Sequence, residues 1–447
     1  MNLRYYLIII YNKIILTKIY QRLRNYLFKH KYDNLPSQYN KILNTIIKNK
    51  VKANIPINVA FFIHESSKWK YESIYRLMES NKHFKPYIVV VPFASGVIKG
   101  YHVIDKMIEV YHFFKDRNYN VYLPLSSDKK TILKLNGTPY EPDLIFYMNC
   151  WHECGKYKQF SYKSNLDKLQ AYVPYAWMIS NRLIEHFNRD FHNCMWEIFY
   201  ETPIHVKLAQ KTAINHGINA IATGYPLLDI FFNPTYKPKN VWKPQNKKKK
   251  RIIWAPHHHI LEKNKCSNFL FIADMMVQLA QKYQDEIQIA FKPHPELAKK
   301  LDTSIIGWNE RRRKEYYQKW VSMPNTQLEE GEYIDLFLTS DGMIQDCGSF
   351  TAEYTCTYKP MLFLIANPNV TKEWNECGIE ILKHLYTSDK GRNIEYFIKE
   401  VIIEGKDIML PERQRFVDNY LKPKGNKNAT QTIYDILIDK FRLNEIE

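Results

Sequence analysis

Short apolar runs alternate with helical stretches along most of this chain, and this pattern occurs twice. Near-continuous apolar runs of about four to eight residues are typical of strands buried on both faces of a parallel sheet. The first series of such runs is INVAFFIH (57–64), PYIVVVPF (86–93), NVYLPL (120–125) and DLIFYMN (143–149). Helical patterns at 71–81 and 101–118 separate them. We therefore expect an open α/β sheet whose ligands bind beyond the carboxyl ends of the strands.

The second series begins after a segment rich in Pro, Asn and Lys, which predicts an exposed linker. Its predicted strands are RIIWAPHH (251–258), IQIAFKPHP (287–295), DLFLTSD (335–341) and PMLFLIA (360–366), with helices at 269–283 and 351–358. Within the linker, KKKKR (247–251) is interpreted as a solvated hinge, with nuclear targeting as the alternative. Two Rossmann-like halves of this type are typical of a nucleotide-dependent transferase that binds its substrate between them.

The predicted organisation has five parts. These are a basic amphipathic membrane-associating segment (1–50), an acceptor domain (51–235), a linker (236–250), a nucleotide-donor domain (251–410) and a closing helix (411–447). Neither G-x-G-x-x-G nor G-x-x-x-x-G-K-[ST] occurs, which argues against a dehydrogenase or a P-loop ATPase.

Positive charge is concentrated near the N-terminus. The chain carries 64 Lys and Arg against 46 Asp and Glu, and its first 50 residues hold ten Lys or Arg and one acid, Asp33. Residues 3–29 predict a helix with interleaved apolar and basic positions, which we interpret as lying on an anionic membrane leaflet. A helix packed on the protein itself is the alternative. No apolar stretch is long enough to span a bilayer.

Other classes find little support. The seven cysteines are sparse and odd in number, which favours a reducing cytoplasm over a disulfide framework. Cys150 and Cys154 flank His152, but no second pair follows at zinc spacing, so no metal is expected. A different class of function also stays open, namely a nucleic-acid binder or membrane scaffold that acts through its charge. No RNA- or DNA-binding signature occurs in the sequence, however.

The segment that follows the 335–341 run contains a candidate anion site. A short apolar turn leads to Asp346, and Gly348-Ser349 begins a helix that contains Glu353. Free N–H groups at a helix start attract phosphate, and a glycine allows close approach. An ordinary helix cap is the alternative interpretation.

Histidines follow several of the predicted strands. His294 lies between two prolines that restrict the direction of its side chain, where it could donate to a phosphate oxygen or protonate a leaving group. His257, His258 and His259 follow the first strand of the second half, and three consecutive histidines on a regular strand cannot all face one metal ion. In the first half, His152 could deprotonate an acceptor hydroxyl, and the pair at 64–65 competes for that role.

The order of these pieces resembles the CDP-glycerol glycerophosphotransferase family of teichoic-acid and capsule enzymes. The resemblance is carried by TGYPLLD (223–229), WAPHHH (254–259), FKPHP (291–295) and TSDGMIQDCGSFTAEYTCTYKP (339–360). It is close over about 140 residues and looser in the first half. It implies a GT-B fold, with glycerol phosphate moving from CDP-glycerol to a hydroxyl on a lipid-linked chain as CMP leaves.

The resemblance also implies roles for individual residues. The catalytic residues implied are His152 as acceptor base and His294. The donor-phosphate and nucleotide site implied consists of His258, Asp346, Gly348, Ser349, Phe350 and Glu353. No cofactor or metal and no nucleic acid is expected. The expected partners are a CDP-activated donor, a lipid-linked acceptor and an anionic membrane contacted by residues 1–30, at the cytoplasmic face of the bacterial plasma membrane.

The chain departs from the family pattern at three places. The family's W-H-G-T is Trp151-His152-Glu153-Cys154 here, and its Tyr-Ser-Ser is Cys347-Gly348-Ser349. The Arg expected after the Y-A-P-T-like strand end is absent, with His258 or His259 in its place. These departures keep a second function open, a GT-B glycosyltransferase that uses a nucleotide-sugar in surface glycan synthesis.

Overall fold

A computed structural model describes residues 26–27, 30–66, 69–93, 103–151, 157–260, 267–303, 307–423, 425 and 427–445. These residues divide into two compact units. The first unit holds the chain up to Ala176, Arg182–Leu227 and the chain from Gly425 onward, and the second holds Trp177–Asn181 and Leu228–Lys424. The predicted domain limits stay predictions about independently folding parts.

The first unit is built on a seven-stranded sheet in which the named strands pair in parallel. Its order is β3-β2-β1-β4-β5-β6-β7. The strands are β1 (Ile57–Ile63), β2 (Phe84–Val90), β3 (Val121–Tyr122), β4 (Leu144–Tyr147), β5 (Leu169–Tyr172), β6 (Glu197–Tyr200) and β7 (Ala220–Ala222). The apolar run at 57–63 predicts a doubly buried strand, and β1 lies between β2 and β4 in the sheet.

The second unit is built on a six-stranded parallel sheet of order β10-β9-β8-β11-β12-β13. The strands are β8 (Lys250–Ala255), β9 (Ile287–Phe291), β10 (Thr326–Leu328), β11 (Gly342–Gln345), β12 (Met361–Ile365) and β13 (Tyr386–Asp389). A stack of buried aromatic rings covers one face of this sheet: the Trp254 ring centroid lies 4.8 Å from that of Phe291 and 5.2 Å from that of Trp320.

Helices connect the strands in both units. They are α1 (Leu35–Ile46), α2 (Glu72–Glu79), α3 (Val103–Lys115), α4 (Leu183–Phe187), α5 (Asp190–Cys194), α6 (Pro203–Thr212), α7 (Phe269–Lys282), α8 (Pro295–Thr303), α9 (Glu310–Ser322), α10 (Ile334–Thr339), α11 (Gly348–Thr355), α12 (Glu376–Leu382), α13 (Ile394–Tyr396), α14 (Leu410–Phe416) and α15 (Ala429–Lys440). Short 3₁₀ segments lie at Lys158–Phe160, Tyr162–Ser164, Pro226–Phe232, Val370–Glu373 and Leu443–Glu445, and π-helical turns at Ile47–Val51, Phe397–Ile403 and Val417–Leu421.

The segment before the candidate anion site folds differently from the prediction. The predicted strand at 335–341 is helix α10, and the predicted turn that follows it is strand β11. Apolar runs this short do not distinguish helix from strand by periodicity. The position decides instead, because β11 lies between β8 and β12 and is buried over its whole length.

The two ends of the chain complete the description. In the segment 411–447, predicted as a closing helix, the described residues form the rest of α14, a π-helical turn, α15 and a 3₁₀ segment. Helix α15 lies in the first unit, where the Tyr434 hydroxyl accepts a 2.7 Å hydrogen bond from Asn81. The predicted N-terminal helix at 3–29 lies outside the described residues except at 26–27. Within the part of the chain that is described, no helix is long and apolar enough to cross a membrane.

Candidate functional site

Three loops meet at the carboxyl edge of the second sheet. They follow β8 (256–260), β9 (292–294) and β11 (346–347). Strands β9, β8 and β11 are neighbours and run parallel, so their carboxyl ends lie side by side. Ligands of open α/β sheets bind at this edge. The three loops carry His258, His294 and Asp346, three of the seven site residues predicted in the second half, and the other four lie in the helix that follows the third loop.

The histidines of the first two loops form one cluster. The ring centroids of His258 and His294 lie 4.0 Å apart, and those of His257 and His258 lie 4.2 Å apart. The His294 backbone N–H donates to the Pro256 carbonyl oxygen at 3.1 Å, which joins the two loops directly. The structure therefore brings together His258 and His294, which are far apart in sequence.

Backbone hydrogen bonds fix the protonation pattern of two of these rings. The Glu296 N–H donates to His294 Nδ1 at 3.1 Å, and the His259 N–H donates to His257 Nδ1 at 3.2 Å. A neutral imidazole whose Nδ1 accepts a hydrogen bond carries its proton on Nε2. His257 and His294 therefore each present an Nε2–H donor, which suits a phosphate oxygen.

Burial keeps these rings neutral. Desolvation, and after it the charges of the neighbouring histidines, lower the pKa of His257 to about 2. Burial also lowers the pKa of His294, although Glu296 acts to raise it. Near pH 7, His257 and His294 thus offer directed N–H dipoles rather than full positive charges.

The three histidines were expected to be unable to face one ion because they would continue a regular strand, and this strand geometry is wrong. They lie in the loop after β8, which ends at Ala255, and nitrogen atoms of His257, His258 and His259 lie within 4.8 Å of one another. A ligating histidine normally donates through its other nitrogen, whereas His257 Nδ1 accepts. This pattern favours an anion over a metal ion as the ligand of the cluster.

Asp346 holds the first histidine loop in place. Its side chain is buried, and its two oxygens accept hydrogen bonds from the backbone N–H groups of His257 and Asn268, each at 2.6 Å. Burial raises the pKa of Asp346 to about 7, although these N–H donors act to lower it. Since both oxygens are engaged by the backbone, Asp346 acts as a positioning residue for His257 and its neighbours.

Helix α11 begins at the third loop, as the Gly-Ser signal predicts. Its cap residue is Cys347, whose N–H donates to the buried Gln345 side chain at 2.5 Å, while the Cys347 carbonyl accepts from Thr351 Oγ1 at 3.0 Å. A Cβ atom at Gly348 would lie 3.2 Å from Ile179 Cδ1, which gives the glycine a packing reason. The Ser349 side chain lies outside the described residues.

The remaining predicted residues of α11 lie in a largely apolar environment. The Phe350 ring packs against Tyr333 and Phe337, at centroid distances of 5.2 and 5.0 Å. Glu353 is buried; desolvation raises its pKa to about 7, against a hydrogen bond from Tyr333 that lowers it. The structure thus places Phe350 in this aromatic cluster rather than against the histidine rings.

Two supporting residues escape the sequence reasoning. Lys292 directly follows β9 and is 7% exposed; its Nζ donates to the Gly331 carbonyl at 2.6 Å, and burial lowers its pKa. Gln345 is fully buried and anchors Cys347. The only sequence signal for them is a polar residue at the end of an otherwise apolar strand.

In the first unit, the predicted acceptor base His152 and the adjacent Glu153 lie outside the described residues. The chain leading to them is described. Asn149 follows β4, accepts a hydrogen bond from the Trp151 N–H at 2.9 Å, and lies 3.5 Å from His64 Nε2. His64 follows the neighbouring strand β1 and stacks on Phe93 at 4.3 Å. These polar groups share the carboxyl edge of the first sheet.

Comparison with known proteins identifies the family. The family described as CDP-Glycerol:Poly(glycerophosphate) glycerophosphotransferase matches residues 102–438. A search of curated proteins gives no match.

Several solved structures share the fold. The wall teichoic acid polymerase TagF has 14% identity and a TM-score of 0.53, covering 96% of this chain and 100% of its own. UDP-GlcNAc 2-epimerase from Neisseria meningitidis, bound to UDP-GlcNAc, has 15% identity and a TM-score of 0.53, covering 86% of this chain and 100% of its own. These likenesses confirm the predicted α/β fold of GT-B type. By the match over most of its length, the chain belongs to the CDP-glycerol:poly(glycerophosphate) glycerophosphotransferase family.

Proposed function

We propose that this protein transfers glycerol phosphate from CDP-glycerol to a hydroxyl group of a surface polymer in a bacterial envelope. The acceptor oxygen bonds to the glycerol-bearing phosphorus, the bond from that phosphorus to the bridging oxygen breaks, and CMP leaves. The observation that carries the proposal is the meeting of three phosphate-suited loops at one sheet edge, in a chain of this family.

The donor phosphates are assigned to the second unit. Negative charge grows on the phosphate oxygens as the bridging bond breaks, and preorganised N–H donors stabilise it. The Nε2–H groups of His257 and His294 and the backbone N–H groups at the start of α11 are donors of this type. His258, 4.0 Å from the His294 ring, and the Ser349 hydroxyl complete the proposed phosphate contacts.

The acceptor proton is assigned to His152. This residue occupies the family's W-H-G position, and a histidine titrates in the range that a general base needs near neutral pH. In this scheme His152 takes the hydroxyl proton as the acceptor attacks, and His294 donates to the departing CMP phosphate.

The acceptor is proposed to be a lipid-linked chain of the teichoic-acid or capsule type. Support comes from the N-terminal segment, whose ten basic residues and one acid suit an anionic leaflet. The protein then works as a peripheral enzyme at the cytoplasmic face of the plasma membrane.

Ligand-induced thermal stabilisation tests the donor assignment, because a ligand that binds only the native state raises the melting temperature. The ligands are CDP-glycerol, CDP-ribitol, CMP, UDP, GDP and nucleotide-sugars. We expect the cytidine ligands to raise the melting temperature. We expect His294→Ala and Ser349→Ala to reduce this rise. His112→Ala, which changes an exposed histidine of α3, is the matched control and should retain the full shift. A shift only with uridine or guanosine ligands would replace this function with nucleotide-sugar transfer.

A further inference from the structure

The basic run interpreted from the sequence as a solvated hinge borders a cavity in the second unit. Residues 237–251 contain eight Lys or Arg and no acid. The run ends where β8 begins, at Lys250, so it lies at the amino edge of the second sheet. This is the edge opposite the histidine cluster.

The cavity has a volume of about 620 Å³ and a strongly polar lining. Five of its lining residues are cationic, namely Lys243, Lys247, Lys248, Lys249 and Arg251. One acid, Asp341, also lines it, and its Oδ2 accepts a 2.8 Å hydrogen bond from the Arg251 backbone N–H. The lining therefore has an excess of four positive charges.

Some of these cations are engaged by the protein. Lys243 Nζ donates to the carbonyl oxygens of Val321 and Met323, and the Arg251 guanidinium donates to Asn240 Oδ1 at 2.9 Å. The engaged side chains build the wall of the cavity.

The consecutive lysines are available to a ligand. Lys247 lies 3.7 Å from Asp285, but both side chains are more than half exposed, and exposed pairs of this kind contribute little. Lys248 and Lys249 form no hydrogen bond or ion pair with the described part of the chain.

We propose that this cavity, with Lys247, Lys248 and Lys249, is an exosite that binds the phosphodiester backbone of the growing polymer. The inference rests on the proposed function, since the polymer made from CDP-glycerol is a linear chain with one negative charge per unit. Such a chain can enter a cavity of this size and meet several ammonium groups in succession.

Other anionic partners fit the cavity less well. Single-stranded nucleic acid binds through exposed aromatic platforms as well as charge, but the aromatic residue of the run, Trp242, is 3% exposed. A bilayer presents a flat layer of head groups, whereas these lysines border a concave space. The geometry thus points to a flexible polyanion.

The position of the exosite predicts a dependence on polymer length. Strand β8 has six residues, and a rise of about 3.3 Å per residue separates its two ends by roughly 20 Å. Only an acceptor long enough to extend around the sheet reaches both the exosite and the donor loops. For such an acceptor the second contact is intramolecular, so the polymer dissociates from the enzyme more slowly between transfers.

The test compares the wild type with Lys247→Gln/Lys248→Gln/Lys249→Gln, which removes three charges and retains side-chain length. The control variant Lys85→Gln/Lys115→Gln/Lys134→Gln removes three exposed charges from the first unit. Binding of purified long poly(glycerol phosphate) is measured over a salt series, together with single-stranded DNA and anionic phospholipid vesicles as probes.

We expect the triple variant at Lys247, Lys248 and Lys249 to bind the long polymer more weakly. The negative slope of log affinity against log salt should become shallower by about 2, the value for three lost contacts at about 0.7 each. CDP-glycerol turnover with a short glycerol phosphate primer should be unchanged, while products from a long acceptor should become shorter. The control variant should match the wild type.

The exosite is refuted if the first variant binds long polymer like the wild type, or if the control loses as much affinity. A loss confined to DNA or to vesicles also overturns it, because the run then serves a different partner. The two proposals fail separately. Absence of CDP-glycerol turnover in the wild type contradicts the proposed function. Normal turnover, with polymer binding that is the same in the variant and the wild type, contradicts the exosite alone.

Discussion

Asp346→Asn tests whether one buried carboxylate orders the phosphate-binding loop. In the wild type, the two carboxylate oxygens accept from the N–H groups of His257 and Asn268 at 2.6 Å. The asparagine side chain has one acceptor oxygen, so its NH₂ group faces the second N–H. That N–H is buried and loses its partner, which costs about 1–3 kcal/mol.

This cost acts on the segments that Asp346 joins. A change of about 1–3 kcal/mol raises the opening equilibrium about 5- to 150-fold, and amide hydrogen exchange measures such local opening. We expect faster exchange of the His257 and Asn268 amides, with little change in the first unit. Because the loop also carries His258, the KM for CDP-glycerol should rise as well.

Asp274→Asn is the matched control, since Asp274 is exposed on α7 of the same unit. It should leave both exchange and KM unchanged. If the His257 and Asn268 amides of Asp346→Asn exchange at the wild-type rate, the view that this carboxylate holds the loop is refuted.

Three further predictions concern stability. Arg413→Met should lower the free energy of unfolding by about 3–5 kcal/mol, because it leaves the carboxylate of Asp407 without its fully buried partner. Denaturant unfolding measures this loss, and it should show none for Arg415→Met, whose side chain is 72% exposed. Gly378→Ala would place a Cβ 2.9 Å from a buried isoleucine side chain. It should therefore lower the free energy of unfolding by about 1–3 kcal/mol in the same measurement. His257 has a pKa lowered to about 2 in the folded state, so the unfolded chain takes up its proton first as pH falls through about 6.5. Stability should therefore fall with decreasing pH, and His257→Gln should reduce that slope by up to about 1.4 kcal/mol per pH unit between pH 6.5 and 5 in pH-dependent unfolding; an unchanged slope would contradict a half-buried ring that stays neutral.

The fold was predictable where strands are long and apolar. Runs such as INVAFFI and IQIAF are buried, apart from the half-buried Asn58, and their composition already excludes an amphipathic helix. The short segments were not predictable. The sequences IDLFLT and GMIQ carry little periodicity, and only the place of GMIQ between two strands makes it β11.

The candidate site was predictable in part for a related reason. The sequence predicts ligands beyond the carboxyl ends of the parallel strands, and His258 and His294, which follow β8 and β9, do lie together at that edge. The role of Asp346 depends on two backbone N–H groups from distant segments, which no spacing in the sequence reveals. The lysine cavity was missed because a charge run does not show whether it borders a concave surface.

The most direct test of the central claim is CMP release from CDP-glycerol in the presence of a glycerol phosphate acceptor. We predict release that requires the acceptor, with glycerol phosphate recovered on the polymer, and a strong reduction in both His294→Ala and His152→Ala but not in His112→Ala. Acceptor-dependent release of UDP or GDP from a nucleotide-sugar, with no CMP from CDP-glycerol, would contradict it.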